Sequence, residues 1–418
     1  MTRSAHSPNR RQVLAGGLAA ASMLSLAAVR PSHAAADIEL VISSVWGPDK
    51  PFQKVVDAFN AKGLGVTVVN RFDGDYQEAA TKALASIAAG RAPDMMITGW
   101  KFGYFARRTL GARDFLEIDA PRAEAILANF VPSVRPLVTI DGALIGLPWA
   151  MSTPVTWINM ALWEAAGLDT DIPMDVTHEW LLEQATVLDK ALKAKNHPTY
   201  RTALDLSNNE WTSQAYIQNA GGYIIDPEGK LTIDSAEAAL GMSKFAEPVK
   251  AGLWQPVDAA TQRTAFSSGA LAISATSSAS ASGFNALPFP VVARKFPRIG
   301  ATRSMNSGGN FLAVYTRDDE RAKAAFTFLE FAASAEGQEI WSEVGYLNTS
   351  VHTVPQMANQ EAAAAQLVDG LTAETIWPGD RGLEAQNAWR KSVARILEGQ
   401  DVAEALAGAR SDIAQLIS

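Results

Sequence analysis

Short apolar runs alternate with amphipathic segments between residues 38 and 98. Apolar and β-branched residues cluster in Ile38–Ser43, Val66–Val69 and Met95–Thr98. The intervening segments, Phe52–Asn60 and Tyr76–Ala89, carry apolar residues at helical spacing. The pattern predicts the order strand, helix, strand, helix, strand, which is typical of a parallel sheet with helices on both faces.

Candidate ligand contacts directly follow these predicted strands. In open α/β sheets, ligands bind beyond the carboxyl ends of the strands. The loops after the three strands contain Trp46, then Asp73, Asp75 and Tyr76, and then Trp100. We therefore expect these loops to line a binding site.

A second lobe is predicted to begin after a proline-bounded segment. A short strand leads into Leu147–Trp149, where we place a hinge. The strand Thr156–Asn159 and the helix Met160–Ala166 follow, and further helices are expected over Glu179–Lys195 and Trp211–Asn219.

The chain is predicted to return to the first lobe later. Leu271–Ser274 and Asn310–Tyr315 have the pattern of short buried strands, and the helix Asp318–Ala333 follows them. Several crossings between lobes would let the lobes rotate as rigid bodies around a cleft. At 418 residues the chain is also too long for one compact core. We therefore predict an α/β protein of two lobes, with residues 35–147 and 274–316 in lobe 1 and residues 148–273 and 317–418 in lobe 2.

The N-terminus has the pattern of an export signal. Arginines precede an apolar stretch, Val13–Val29, and a small-x-Ala cleavage site ends at Ala34. The pair Arg10 and Arg11 fits a twin-arginine signal, and an arginine-rich Sec signal is the alternative. The apolar run is shorter than the roughly 20 residues that a membrane-spanning helix needs. We expect residues 1–34 to be removed and the soluble protein to be periplasmic.

Composition excludes several classes of function. The chain has no cysteine, so it can form no disulfide, thiolate metal site or cysteine nucleophile. Residues 1–34 hold four arginines and no acidic residue, so the remaining 32 basic and 44 acidic residues give a net charge near −12. Such a charge disfavours nucleic acid and anionic lipid as partners.

Sequence motifs give little support to catalysis. The chain lacks a G-x-S-x-G elbow, an S-x-x-K motif, a Walker A loop and a G-x-G-x-x-G turn. His178 and Glu179 match half of a zinc-binding H-E-x-x-H motif, but Leu182 stands where the second histidine is required. Asp73 and Asp75 are the alternative, a glycosidase pair, although carboxylates in a solvated loop more often bind hydroxyls or water. We expect a non-enzymatic protein without cofactor or metal.

Tryptophan is the most informative residue type, because its flat face stacks on the C–H face of a sugar while its N–H donates one hydrogen bond. Four of the eleven tryptophans fall at strand ends, at the hinge or at a helix start, and are candidates for lining the cleft: Trp46, Trp100, Trp149 and Trp211. Four others fall inside predicted strands or helices and are expected to pack in the core: Trp157, Trp163, Trp180 and Trp341.

Small polar residues provide a further candidate site. The run Ser274–Ser280 follows a short strand and is either a flexible linker or a helix N-terminus that holds a phosphate or hydroxyls. Gly308 and Gly309 would allow the backbone to approach a ligand closely.

From residue 37 onwards the chain resembles the family 1 extracellular solute-binding proteins, the receptors of sugar ABC importers. The segments that carry the resemblance, in chain order, are Gly146-Leu147-Pro148, Ser152-Thr153-Pro154, Asn159, Ala165-Ala166-Gly167-Leu168, Phe266-Ser267-Ser268-Gly269-Ala270-Leu271-Ala272-Ile273, Glu336-Gly337 and Gly345-Tyr346-Leu347. The resemblance implies a type II periplasmic-binding-protein fold, a monomer, and ABC permease subunits of the inner membrane as partners.

Within this family, the chain is most similar to the receptors for sn-glycerol-3-phosphate. That similarity implies ligand contacts from Tyr76, Ser152, Trp211, Ser277 or Ser278, Gly309, Tyr346 and Arg390, with Arg390 on the phosphate. Trp100 and Asn208 depart from the pattern: Trp100 replaces an acidic residue that grips glycerol hydroxyls, and Asn208 replaces a tryptophan. We keep Trp100 as a candidate contact, because a sugar could stack on its ring.

The leading hypothesis is a receptor for sn-glycerol-3-phosphate or a glycerophosphodiester. A receptor for a neutral sugar or oligosaccharide is the alternative, and a periplasmic glycoside hydrolase is a remote one. A receptor that reports its ligand to a membrane sensor would have the same sequence features.

Overall fold

The computed structural model describes residues 38–300, 305–369 and 371–417. The predicted signal peptide, residues 1–34, lies outside the described residues. The described residues belong to one compact unit. Within the described ranges, no helix is both long enough and apolar enough to span a membrane.

Twelve β-strands are formed by the described residues. Their bounds are β1 (Ile38–Ser44), β2 (Val66–Phe72), β3 (Met95–Gly99), β4 (Thr139–Ile140), β5 (Ala143–Leu144), β6 (Leu147–Ser152), β7 (Pro154–Asn159), β8 (Thr202–Asp205), β9 (Leu271–Ser277), β10 (Val291–Lys295), β11 (Met305–Val314) and β12 (Leu371–Ala373).

The same ranges contain fifteen α-helices. Their bounds are α1 (Pro51–Asn60), α2 (Tyr76–Ala88), α3 (Gly103–Phe105), α4 (Phe115–Leu127), α5 (Met160–Ala166), α6 (His178–Ala194), α7 (Glu210–Asn219), α8 (Ala236–Lys250), α9 (Ala259–Ser267), α10 (Ala281–Phe284), α11 (Asp319–Ala333), α12 (Ala335–Ser342), α13 (Glu361–Asp369), α14 (Gly382–Leu397) and α15 (Val402–Ile417).

The first sheet has the order β12-β11-β3-β1-β2, and β6 also pairs with β11. Strand β1 is parallel to both β2 and β3, which confirms the predicted parallel arrangement. Strand β11 is antiparallel to β3 and β6. Helix α1 buries Phe52, Val55, Val56 and Phe59, the face predicted from their helical spacing.

The second sheet has the order β10-β7-β9-β8. Strand β7 is antiparallel to β9 and β10, whereas β8 is parallel to β9. A separate apolar core packs around each sheet. Trp100, Trp149 and Phe311 lie in the first core, and Trp163 and Tyr216 lie in the second.

Several predicted assignments differ from the structure. Strands β9 and β10 both belong to the second sheet, so residues 274–277 and 291–295 do not lie in the first lobe as expected. A short apolar strand fits either sheet equally well, so its sequence does not specify the partner. Helices α11 and α12 pack against α1 in the first lobe, and α11 also against α4, whereas both were expected in the second lobe.

The position of the hinge also differs. Strand β6 runs through the predicted hinge at Leu147–Trp149 and ends at Ser152, so the first crossing between sheets lies at Thr153. Pro148 does not end β6, because β6 pairs along one side with β11, where the register shifts between Asn310 and Phe311. Prolines are tolerated at such edges and bulges. The remaining lobe boundaries stay predictions.

The two glycines of β11 allow side chains and backbone to meet closely. A Cβ atom at Gly308 would lie 2.6 Å from the Trp211 Nε1 atom. A Cβ atom at Gly309 would collide with the Ala150 carbonyl oxygen and lie 2.7 Å from the Trp100 ring. A side chain at either position therefore requires neighbouring groups to move.

We predict that Gly309→Ala lowers the free energy of unfolding by about 1–3 kcal/mol, because the added methyl group overpacks a rigid contact. The matched control is Gly408→Ala in α15, where no atom lies within 4 Å of the added Cβ. This control should raise stability by about 0.5–1 kcal/mol through helix propensity. Urea unfolding measures both, and equal effects of the two substitutions would contradict the close approach at Gly309.

Candidate ligand-binding site

A cavity of about 200 Å³ lies where the ends of strands from both sheets converge. We call it the inner cavity. Its walls are formed by Tyr76, Gly99, Lys101, Ser152, Trp211, Ser277, Gly308, Gly309, Tyr346 and Glu374. Six of the eight predicted site residues are among them: Tyr76, Ser152, Trp211, Ser277, Gly309 and Tyr346. Their role in binding a ligand stays a prediction.

Two partly buried tyrosines, Tyr76 and Tyr346, line the inner cavity. Tyr76 is the first residue of α2, which begins there because the Asp75 side chain accepts hydrogen bonds from the Gln77 and Glu78 backbone N–H groups. The Tyr76 hydroxyl oxygen accepts a hydrogen bond from Asn310 Nδ2 at 2.7 Å. Burial raises the pKa of Tyr76 and of Tyr346, so both phenols are neutral at physiological pH.

Trp211 of α7 lines the inner cavity from the second lobe. It lies in the first turn of α7, whose N-cap is Asn209. Its Nε1 atom is buried and has no hydrogen-bond partner among the described residues. Trp100, Trp149, Trp254 and Trp389 also have buried indole N–H groups without a described partner, but of the five only Trp211 lines the inner cavity, which makes its N–H a candidate donor to a ligand.

The predicted contact Trp100 lies behind the wall of the inner cavity. Its ring is 1% exposed, belongs to the first core and packs against Gly309. Trp149 is equally buried, whereas Trp46 is only partly buried. Of the four tryptophans expected at the cleft, Trp211 alone lines the inner cavity.

Ser277 ends strand β9, so the serine run is not a flexible linker. The following residues form one 3₁₀ turn, Ser278–Ser280, and the one-turn helix α10. The Ser277 side chain accepts a hydrogen bond from the Ala279 N–H at 3.1 Å. Its hydroxyl hydrogen can still donate, and Ser152 provides a second hydroxyl at the end of β6.

A buried cluster of charges lies beside the aromatic walls, and the sequence did not reveal it. Lys101 Nζ donates a hydrogen bond of 2.6 Å to Glu210 Oε1 and lies 3.7 Å from Glu374 Oε1. Lys101 follows β3, Glu210 begins α7, and Glu374 follows β12. The ion pair of Lys101 and Glu210 therefore joins the first lobe to the second.

Lys101 acts on its two carboxylate neighbours unequally. Burial opposes ionisation of Glu210, but the adjacent Lys101 charge outweighs burial and lowers the pKa of Glu210 to about 2. Burial dominates at the more distant Glu374 and raises its pKa to about 7. Burial lowers the pKa of Lys101, yet the two carboxylates together hold it above its ordinary value. Lys101 stays charged, and Glu374 titrates near neutral pH.

Arg390, the predicted phosphate contact, does not line the inner cavity. It lies on α14 with 46% of its side chain exposed. Its Nη1 atom donates a hydrogen bond of 2.7 Å to Gln77 Oε1, and its Nε atom lies 3.5 Å from Glu210 Oε2. The phosphate contact stays a prediction, and Arg390 already has partners in the described structure.

A second, larger cavity of about 550 Å³ adjoins the first, and we call it the outer cavity. Ser277 and Tyr346 line both. The remaining walls come from Trp46, Asp49, Lys50, Pro51, Lys54, Arg263, Ser267, Ala279, Ser280, Ser282, Gly283, Phe284, Glu343 and Val344. The two cavities thus form adjacent parts of one cleft.

The residues proposed for other chemistry have structural partners. Asp73 accepts hydrogen bonds from Ser43 and Arg71, and Asp75 caps α2. Neither residue is part of the lining of the inner cavity. His178 is a buried core residue whose ring nitrogens lie 3.2 Å from the Tyr216 hydroxyl and 3.1 Å from a Glu247 oxygen. Across the described ranges, no group of three or more His, Asp and Glu residues is arranged to hold a metal ion.

The sequence and fold match known solute receptors. A family described as bacterial extracellular solute-binding protein matches residues 44–339, and the chain belongs to this family. A relative from Shigella dysenteriae, the sn-glycerol-3-phosphate-binding periplasmic protein UgpB, is 22% identical over 79% of this chain and 78% of its own length. The predicted family resemblance is confirmed.

Solved structures show the same two-lobed fold. The ABC substrate-binding protein Lmo0181 of Listeria monocytogenes, in complex with cycloalternan, superposes with a TM-score of 0.77 at 18% identity and covers 91% of this chain and 98% of its own. UgpB from Mycobacterium tuberculosis, in complex with glycerophosphocholine, superposes with a TM-score of 0.75 at 18% identity, covering 90% and 98%. The predicted fold class is therefore confirmed.

We predict that Glu374→Gln changes how stability depends on pH. With a pKa raised from 4.5 to about 7, Glu374 contributes stability that is complete below pH 4.5 and is lost as the pH rises through 7. The neutral glutamine cannot lose a proton, so the variant should gain roughly 1–3 kcal/mol relative to wild type between pH 5 and pH 8. Urea unfolding at both pH values measures this gain. The exposed control Glu228→Gln should show none, and an unchanged pH profile in Glu374→Gln would argue against a raised pKa.

We also predict that Lys101→Met destabilises the protein by about 3–5 kcal/mol, because it leaves Glu210 and Glu374 buried without their cation. The double variant Lys101→Met with Glu210→Gln should recover part of this loss, since the introduced glutamine carries no charge. A double-mutant cycle by chemical denaturation measures the coupling. If the changes in unfolding free energy of the two substitutions simply add, Lys101 and Glu210 have no interaction energy with each other.

Proposed function

We propose that this chain is the exported, periplasmic substrate-binding component of an ABC importer, and that it captures a small polyhydroxylated ligand in the inner cavity. The observation that carries this proposal is an aromatic-lined cavity between two lobes that contains hydroxyl groups and an unpartnered Trp211 N–H. Aromatic faces and a few directed polar groups are what a sugar or polyol requires. Membership of the solute-binding family supports the same role.

The proposed contacts are the six predicted residues that line the inner cavity, together with Lys101 and Glu374. Tyr76, Trp211 and Tyr346 would pack against the carbon skeleton. Ser152 and Ser277 would exchange hydrogen bonds with hydroxyl groups, while Lys101 donates and Glu374 accepts. Trp100 would act indirectly, by supporting Gly309. The protein would act as a monomer, closing around its ligand and delivering it to permease subunits in the inner membrane.

The leading ligand is sn-glycerol-3-phosphate or a glycerophosphodiester. The name of the Shigella relative and the glycerophosphocholine in the mycobacterial structure support this class. A neutral sugar is the second candidate, because Lys101 is already balanced by two carboxylates and therefore gives the inner cavity little net positive charge. The cycloalternan complex and a maltose-bound MalE3 of T. maritima, with a TM-score of 0.76 at 19% identity, support this alternative.

Calorimetric titration of the protein without residues 1–34 tests the proposal. The probes are sn-glycerol-3-phosphate, glycerophosphocholine and maltose, each with incubation and product analysis to detect turnover. We expect saturable binding of at least one probe without product formation. Release of product, abolished by Asp75→Asn, would instead support the hydrolase alternative.

We predict that Trp211→Ala weakens the bound probe about 10-fold or more, since stacking and one hydrogen bond are lost, whereas Trp211→Phe retains part of the stacking. The matched control is Trp180→Ala on α6, a partly buried tryptophan that stacks on Trp163 and does not line the cavity. Titration measures the affinities, and thermal melts verify folding. Equal losses in Trp211→Ala and Trp180→Ala would place the ligand elsewhere.

A further inference from the structure

The cations at the inner cavity are already engaged by other groups. Lys101 lies between Glu210 and Glu374, and Arg390 contacts Gln77 and Glu210 from outside the lining. An added phosphoryl group would have to compete with these buried carboxylates. The inner cavity is therefore better suited to hydroxyl groups than to a phosphoryl group.

The outer cavity contains one cationic side chain, Arg263, without a described ion-pair partner. Arg263 projects from α9, is exposed, and makes no hydrogen bond or ion pair within the described part of the chain. The other lining cations are paired, Lys50 with Asp49 at 2.8 Å and Lys54 with Glu343. The two acidic residues of this cavity are thus balanced locally, and Arg263 is left with an unopposed charge.

Serine hydroxyls line the same cavity as this charge. Ser280 and Ser282 line the outer cavity, are half-buried, and make no side-chain hydrogen bond to another described residue. Ser277 and Tyr346 lie at the boundary with the inner cavity. Arg263 is close enough that its charge opposes the effect of burial on the pKa of the Tyr346 phenol. Because Ser277 and Tyr346 line both cavities, a group bound in the outer cavity lies next to a ligand in the inner cavity.

We infer that the outer cavity binds a phosphoryl group of the ligand, with Arg263 as its charged contact and the serine hydroxyls as donors. The polyhydroxylated part of the same ligand then occupies the inner cavity, which rests on the function proposed above. A guanidinium suits this role because its planar donors match two phosphate oxygens. This arrangement differs from the one expected from the family resemblance, in which Arg390 holds the phosphate.

The test compares Arg263→Ala, Arg263→Lys, Arg390→Ala and wild type by calorimetric titration with glycerophosphocholine, sn-glycerol-3-phosphate and maltose. We expect Arg263→Ala to weaken the phosphorylated ligands about 10- to 100-fold, the range for a hydrogen bond to a charged group, and to leave maltose binding unchanged. Arg263→Lys should lose less, because the positive charge remains. Binding of the phosphorylated ligands should also weaken with added salt, and less so in Arg263→Ala.

The matched control is Arg91→Ala, which removes an exposed arginine just after α2, outside both cavities. It should change no affinity. If Arg390→Ala abolishes phosphate binding and Arg263→Ala changes it less than about twofold, the inference is overturned and the receptor function stands. If the wild type binds maltose but neither phosphorylated probe, the inference is likewise overturned and the receptor function stands. If a folded wild type binds none of the three probes, both the inference and the proposed ligand class are overturned.

Discussion

Strand β11 passes so close to both lobes that a side chain in place of Gly308 or Gly309 would displace neighbouring groups. Gly309 lies against the Ala150 carbonyl oxygen and the Trp100 ring, and Gly308 lies against Trp211. Because β11 pairs with both β3 and β6, this contact fixes the end of the first sheet at the point where α7 arrives. The inner cavity exists because backbone alone occupies this position, which leaves room beside Trp211.

The buried ion pair of Lys101 and Glu210 adds an electrostatic link at the same junction. Both side chains are about 10% exposed, so each loses most of its hydration, and their attraction must offset that loss. A well-packed apolar pair could be equally stable, so stability alone does not explain the charges. A lysine and two glutamates beside a cavity do, however, supply donors and acceptors for hydroxyl groups.

Local sequence patterns predict where helices and strands lie better than they predict which sheet or core each one joins. The order β1-α1-β2-α2-β3 follows from periodicity and strand-end chemistry, because these segments contact neighbours in sequence. The expected lobe of strand β9 is wrong, since an apolar strand carries no information on which sheet receives it. Pro148 suggests a boundary in the sequence, although an edge strand with a bulge accommodates it.

Some residues of the candidate site could also be predicted from the sequence, and others could not. Tyr76, Ser277 and Gly309 could be found because they follow strands or match family segments. Glu374 could not, since it follows a three-residue strand with no distinctive pattern, and its proximity to Lys101 depends on contacts between residues far apart in the chain. Trp100 follows a strand end, as expected, but its side chain packs in the first core. The sequence pattern indicates where a residue lies along the chain but not which way its side chain points.

The boundary between the two cavities links ligand size to lobe movement. Tyr346 is held against the first core by stacking on Trp341, with ring centroids 5.6 Å apart, whereas Ser277 is fixed in the second sheet by its pairing with Pro154. A rotation of one lobe relative to the other would therefore change the separation of these two residues. A ligand that contacts both Tyr346 and Ser277 stabilises the lobe arrangement in which their separation fits the ligand. The difference between its affinities for the closed and open arrangements sets how far it can shift the equilibrium towards the closed one.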